Sequence, residues 1–405
     1  MTHSICILGR QPELGLAELE SLYGAATVSH VSNQVAELSL PAHEIQFARL
    51  GGSTRLASVL AMVPATDWKL IEKQLTKLIR STAFVLPTSG KFHLGLSAYG
   101  FQVSPPKLNA LGLTLKKVLK SRHDGSVRLV PSSSAELSTA QVYHNHLADE
   151  HGAELLLIAA GNKTIFARTV AVQDIDNYTL RDRGRPKRDA RVGMLPPKLA
   201  QIIINLAAGQ IKSSHESGTT NHEKTILDPF CGTGVVMQES LLMGYDVYGT
   251  DLEPRMVDYS RANLDWLATI NYTLPTTPYH LESGDATTHH WQPTPDLVAG
   301  ETYLGRPFTE VPAREVLEQT VSDVNAILTK FLHNLHAQLA PGARLCLAVP
   351  AWQTTPNQFR HLPLIDQMSE MGYNRVEFER VPSSHLLYYR EDQIVARELL
   401  VLTVK

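Results

Sequence analysis

Cysteine is scarce in this chain of 405 residues: Cys6, Cys231 and Cys346 lie far apart, with no Cys-x-x-Cys pair. Such spacing excludes a disulfide framework and a cysteine-based zinc site, and it fits a reducing cytoplasm. Long apolar runs are missing too. Leu155–Ala160 has the length of a strand, well short of the roughly 18–20 residues of a membrane span, so no membrane partner is expected. The opening MTHSICILGR has no basic region followed by a long apolar stretch, and no signal peptide is expected. Nor is there an excess of one charge. With 37 Lys and Arg against 40 Asp and Glu the net is −3, which taken whole argues against broad nucleic-acid affinity. No internal repeat is visible.

What is present is an ordinary globular balance, 43% hydrophobic and 19% charged, sufficient for two or three domains at roughly 100–200 residues each. The near-neutral charge hides a split. Residues 1–190 hold 21 basic and 16 acidic residues, +5, whereas 191–405 hold 16 and 24, −8. An asymmetry of this kind suggests that the two halves meet different partners.

The basic half reads as mixed α+β. Strand-like runs at Ser4–Leu8, Gln34–Leu40, Lys91–Ala98, Ser126–Val130, Glu154–Ala160 and Thr164–Val172 interleave with helical patterns at Gly9–Leu22, Trp68–Ser81, Leu111–Ser121 and Ser138–Leu147. Residues 174–197, rich in Arg, Asp, Gly and Pro, read as a linker or functional loop. Pro196-Pro197 introduce a helix over Lys198–Ala208, and the polar 211–224 looks flexible. From Thr225 strands and helices alternate. Strands are expected at Thr225–Leu227, Asp246–Gly249, Tyr279–Leu281, Asp296–Ala299 and Arg344–Val349, and helices at Val235–Met243, Arg255–Thr269, Arg314–Leu339 and Pro363–Met371. Two further strand-like runs, Asn374–Arg380 and Ala396–Thr403, close the chain. The expected fold class is α/β: a doubly wound, largely parallel sheet that binds its ligand at the C-terminal strand ends, preceded by the α+β region.

Between the first of those strands and its helix stands Asp228-Pro229-Phe230-Cys231-Gly232-Thr233-Gly234. Glycines there let the backbone approach a ligand beside the free N–H groups of a helix start. A phosphate-binding Walker loop needs Lys-Ser/Thr next, and Val235-Val236 follow instead. A dinucleotide fingerprint needs a third glycine where Met237 stands. The third reading is an acidic residue opening the turn, a short Gly-x-Gly and a second acidic residue ending the next strand, set against ordinary strand-end turns. Asp251, ending the next strand, can accept both hydroxyls of a ribose, and Asp285 after the third strand can accept from an adenine amino group.

DPFCGTG, YDVYGTDLEPRMV and SGDAT together resemble the S-adenosylmethionine pocket of class I methyltransferases. RDRGRPKRDARVGMLPPKLAQIIINLA resembles the segment before that pocket in the THUMP-domain tRNA guanine-N2 methyltransferases, which modify guanosine 10 of tRNA. The resemblance is strong over 174–260, moderate beyond and weak over 1–170. It implies S-adenosylmethionine as cofactor, with Asp228, Pro229, Cys231, Gly232 and Gly234 around its amino acid portion. Asp251 and Leu252 then meet its ribose, and Asp285 and Ala286 its adenine. It implies tRNA as partner, and leaves open a small activating subunit and the choice of monomer or homodimer. The implied domains are a ferredoxin-like region (1–80), a THUMP-like RNA-binding domain (81–173), a linker and leading helix (174–224) and a Rossmann-like methyltransferase domain (225–405). RNA contacts fall on Lys116, Lys117 and Lys120, in a basic cluster with Lys107, Arg122 and Arg128, and on Arg181, Arg183 and Arg185.

The acceptor motif departs from that family. In place of Asp/Asn-Pro-Pro-Tyr/Phe the chain has Glu301-Thr302-Tyr303, followed by Leu304-Gly305-Arg306. Glu301 aligns with the acid that accepts hydrogen bonds from an exocyclic amine; both prolines are lost, and Tyr303 stands one place earlier than the aromatic that stacks on a flipped base. Two readings stand: a variant catalytic pair, or a decayed site in a protein that binds cofactor or RNA without methylating. A DNA amino-methyltransferase shares the same logic. His289-His290 lacks a third ligand, so no metal is expected. Cys231 reads as a small packing residue, and His385, Tyr388, Tyr389 and Arg390 as a surface loop near the last strand.

Overall fold

The computed structural model describes residues 3–82, 84–87, 89–189, 195–211, 224–270, 279–391 and 393–405. The polar stretch 212–223 and the Gly193-Met194 pair lie outside the described residues. Two units emerge: Met1–Pro12, Ala26–Ala48 and Ser53–Asn177 form the first, and Glu13–Ala25, Arg49–Gly52 and Tyr178–Lys405 the second. Most of the first helix, α1 (Pro12–Tyr23), therefore belongs to the second unit.

In the first unit β1 (Ser4–Leu8), β2 (Val28–Ser32), β3 (Val35–Leu38), β4 (Ser53–Val63), β5 (Ser89–Tyr99), β6 (Asp124–Leu129), β7 (Gly152–Ala160) and β8 (Lys163–Val172) share one sheet. Its order is β2-β3-β1-β4-β8-β7-β5-β6. Strands β7, β5 and β6 run parallel, and the other neighbours are antiparallel. Strands from both sides of the expected 80/81 boundary thus pair in one ladder. Two helices pack on it, α2 (Trp68–Arg80) and α3 (Pro105–Lys120). Asp67 caps α2 by accepting from the Leu70 amide at 3.1 Å, and Ile71, Leu75 and Ile79 recur every fourth residue on its buried face, the helical period. They join Leu108, Leu111, Leu115 and Leu119 of α3 in one core. The short α4 (Thr139–His144) starts from a Ser138–Gln141 capping box.

Strand β4 carries no sequence signal of alternation, because Ser, Ala and Thr interrupt its apolar residues. It also buries a charge. Arg55 donates to Glu154 at 3.0 Å and to the Tyr99 hydroxyl at 2.7 Å; the Arg55 and Glu154 side chains are 4% and 0% exposed. Ser97 and Thr169 each donate to Glu154 at 2.6 Å. Glu154→Leu leaves Arg55 buried without its counter-charge, and the expected loss of stability is about 3–5 kcal/mol. Urea unfolding measures it; a loss under about 1 kcal/mol would contradict the role given to the pair.

Residues 174–197, read as linker or loop, include the helix α5 (Ile175–Arg183), with Asp174 accepting from the Asn177 amide at 3.0 Å. The second unit continues through α6 (Pro197–Ala208), β9 (Thr225–Asp228), α7 (Val235–Leu242), β10 (Asp246–Asp251), α8 (Pro254–Ile270), β11 (Tyr279–Ser283), β12 (Leu297–Glu301) and α9 (Arg314–His336). It ends with β13 (Arg344–Thr355), β14 (Gln358–Arg360), β15 (Tyr373–Arg375), β16 (Leu387–Tyr388) and β17 (Val395–Val404). The main order is β11-β10-β9-β12-β13-β17-β15. The first five strands run parallel, and β17 is antiparallel to β13. The order reverses between β9 and β12, the switch point where a doubly wound sheet opens a crevice for ligand.

Two sequence expectations need correction here. Pro363–Met371 is not an α-helix but a 3-10 turn over Pro363–Gln367, whose Leu364 amide donates to Asn325 of α9 at 2.8 Å. The strand expected over Asn374–Arg380 stops at Arg375; farther along, the amides of Glu379 and Arg380 donate to the Glu20 carboxylate at 2.6 and 2.9 Å rather than to a strand.

Candidate active site

A cavity of about 610 Å³ lies at the C-terminal ends of β9, β10, β11 and β12, within the usual range for small-molecule sites. Asp228, Asp251, Asp285, Glu301 and Tyr303 all line it, with Pro229, Cys231, Gly232, Leu252 and Ala286. Residues about 75 positions apart in sequence converge because each ends, or follows, one of four adjacent parallel strands.

The β9–α7 loop turns on Gly232 (φ 53°) and Gly234 (φ 79°), both in the left-handed region. Gly234 does not line the cavity. It caps α7, and a Cβ there would meet Ser260 Oγ at 2.9 Å, so glycine permits α8 to pack close. Ser260 in turn donates to the Gly232 carbonyl at 2.8 Å. Asp251 holds the loop from below: its two carboxylate oxygens accept the Gly232 and Glu253 amides, each at 2.9 Å. Each oxygen keeps a second acceptor site, so two hydroxyls of a ribose can still be taken. Asp285 uses Oδ1 for the Thr287 amide and hydroxyl at 2.9 and 2.8 Å, which fixes the turn and leaves Oδ2. Gly284 precedes it because any Cβ would strike His289 Nδ1 at 2.2 Å.

The lining is acidic, and Asp228 within it is buried. Burial pushes the Asp228 carboxyl well above the usual carboxylate range, and the Asp251 and Glu301 charges add to the push. Asp251 is raised by burial as well, with its two amide donors opposing the shift. Burial also pushes the Cys231 thiol up, the opposite of what a thiolate nucleophile needs.

At the lip, Glu301 ends β12 with one carboxylate oxygen held by Arg397 Nε of β17. Thr302 is buried, and its amide and hydroxyl both donate to the Ala348 carbonyl, at 3.0 and 3.2 Å. Tyr303 follows, 46% exposed. Arg397 gives little away in the sequence; its one signal is a charged Arg-Glu pair inside the apolar run of β17.

The arginines of 181–188 are not equivalent. Arg181 and Arg185, expected on RNA phosphate, are turned inward. Arg181 pairs with Glu239 at 2.7 Å, where Glu239 is 1% exposed. Arg185 is buried and donates to Thr233 Oγ1 at 3.3 Å. Lys187 exchanges hydrogen bonds at 2.9 Å with Asn263, which also donates to the Thr233 carbonyl. The segment thus braces the glycine loop. Arg183 is exposed, as are Lys117 and Lys120 of α3, while Lys116 is half-buried. Lys69, Lys73, Lys77 and Arg80 of α2, in the same first unit as α3, are exposed as well.

The remaining candidates are accounted for simply. His289 bonds Glu282 at 3.0 Å, and among the described residues no group of three His, Cys, Asp or Glu is arranged to hold a metal ion. His385, Tyr388, Tyr389 and Arg390 do not line the cavity. Among the described residues, no helix is long and apolar enough to cross a membrane.

No family model matches the chain. It is 31% identical over 195 residues to the tRNA (guanine(10)-N2)-dimethyltransferase of Methanothermobacter thermautotrophicus, covering 48% of this chain and 49% of that protein. It is 34% identical over 93 residues to the protein of the same name from Pyrococcus abyssi, covering 23% and 22%. The chain thus spans about half the length, or less, of these curated relatives. Among solved structures, TrmN from Thermus thermophilus matches with a TM-score of 0.50 at 15% identity, over 100% of this chain and 99% of that one. That likeness shows the fold: an α/β protein with the Rossmann-like, doubly wound sheet expected from the sequence.

Proposed function

We propose that this chain is an S-adenosylmethionine-dependent methyltransferase acting on the exocyclic N2 amine of guanosine in tRNA, of the position-10 type, by direct transfer without a covalent enzyme intermediate. The observation that carries the reading is the convergence of Asp228, Asp251, Asp285 and Glu301 into one cavity at the switch point. The names of the curated relatives support the substrate class.

The residues present fit the cofactor. Gly232 at positive φ admits a ligand to the backbone, carboxylates with open acceptor sites suit a ribose and an adenine amine, and an acidic lining suits a cation. When bound, S-adenosylmethionine supplies a methyl group activated by its sulfonium. Asp228 and the Gly232–Gly234 loop hold the amino acid portion, Asp251 the ribose hydroxyls and Asp285 the adenine edge, with Leu252 and Ala286 beside it. Glu301 accepts from the guanine amine and aims its nitrogen, and Tyr303 stacks on the flipped base. The exposed lysines of α3, in the region read as THUMP-like, and those of α2 before it meet tRNA phosphates with a modest charge, so shape contributes the selectivity.

Titration calorimetry tests the cofactor half. One S-adenosylmethionine is expected per chain, with affinity that falls as pH is lowered. Asp228 and Asp251 have raised pKa values, so they take up protons, and lose their attraction for the cation, at a higher pH than an ordinary carboxylate near 4. No heat of binding in a folded sample, or an affinity that does not fall as the pH is lowered, would contradict this.

A further inference from the structure

We infer that Arg397 is a positioning residue for base recognition: through its bond to Glu301 it fixes the carboxylate that receives the guanine amine. The inference rests on the proposed function and extends it to a residue outside the cavity lining.

Glu301 and Arg397 come from different strands. In register Glu301 of β12 faces Ala348 of β13, and Arg397 of β17 faces Pro350 of the same strand. Arg397 therefore reaches across the central β13 to meet Glu301, Nε donating to Oε1. Their side chains are 8% and 14% exposed, so water competes little for the bond. A glutamate has one more rotatable bond than an aspartate and swings more freely at the end of a strand. Tying Oε1 to a planar guanidinium removes that freedom. Oε2 takes no hydrogen bond among the described residues and belongs to a side chain that lines the cavity.

The next residue is fastened in the same way. Thr302 spends both its amide and its hydroxyl on the Ala348 carbonyl, which pins the backbone between Glu301 and Tyr303 to β13. Gly305 (φ 81°) then turns the chain beneath α9, where a Cβ would lie 3.1 Å from Thr320 Cγ2. With no proline between Glu301 and Gly305, hydrogen bonds and one ion pair supply the rigidity that an acceptor site requires.

A double-variant cycle on the full chain tests the inference, reading kcat and KM for methyl transfer to unmodified tRNA together with the calorimetric Kd for S-adenosylmethionine. Arg397→Gln is expected to lower kcat about 30- to 100-fold, the scale of a misplaced reacting group, with Kd for the cofactor within about threefold of wild type. Arg397→Lys restores part of the loss. Because Arg397 acts through Glu301, adding Arg397→Gln to Glu301→Gln produces no further loss. Where Arg397→Gln does not fold, Arg397→Met, which keeps the volume of the stem, serves in its place. An Arg397 variant as active as wild type, a loss fully additive with Glu301→Gln, or a loss confined to the cofactor Kd each overturns the inference while the proposed function stands. A wild-type chain that binds no S-adenosylmethionine, or binds it and methylates no tRNA, removes both.

Discussion

Glu301→Gln is expected to lower kcat for methyl transfer to tRNA about 100-fold or more, with the Kd for S-adenosylmethionine within about threefold of wild type. The isosteric amide keeps the volume of the side chain and one acceptor oxygen. Arg397 has only donors to offer, so it captures that oxygen and turns the amide NH2 toward the cavity. A donor then faces the guanine amine, itself a donor, and the orientation of the attacking nitrogen is lost. Single-turnover kinetics with saturating cofactor separate this from a binding defect. Unaltered kcat would take Glu301 out of the recognition of the amine.

Asp251→Ala is expected to weaken S-adenosylmethionine binding by about 100-fold or more. Hydrogen bonds to a charged acceptor contribute about 1.5–3 kcal/mol each, and 1.4 kcal/mol is tenfold in affinity. Two effects add here. The ribose hydroxyls lose their acceptor, and the Gly232 and Glu253 amides lose the carboxylate that holds the β9–α7 and β10–α8 loops together. The apolar packing of Cys231, Met237, Val247, Val257 and Leu281 does not depend on that carboxylate, so the variant should remain folded. Calorimetry decides; an affinity within about threefold of wild type would place the ribose elsewhere.

The half of the site built from local turns is legible in the amino-acid sequence. Asp228, Asp251 and Asp285 each stand just past a short strand-like run, and such runs alternating with helical periods place those ends on one side of a parallel sheet. The glycine loop is legible for the same reason, though Gly234 serves helix packing rather than the cavity. What depends on long-range pairing is not. Arg397 lies 96 residues from Glu301, and nothing near it announces a partner. Arg181 and Arg185 look like an RNA-facing run because arginines are usually solvated; Glu239 and Thr233, roughly 50 residues away, draw them inward. Strand β4 is hidden because its central position lets Ser, Ala and a paired Arg55 stand where an exposed strand would alternate. Charge behaves likewise. The net −3 conceals a basic first half, and in the second half several carboxylates point into one cavity.

Nucleoside analysis of unmodified tRNA incubated with the chain and methyl-labelled S-adenosylmethionine tests the proposed function most directly. The expected product is N2-methylated guanosine at a single site, formed by the wild-type chain and reduced about 100-fold or more by Glu301→Gln. Cofactor binding without any label entering tRNA guanosine, or label on a different base, would contradict it.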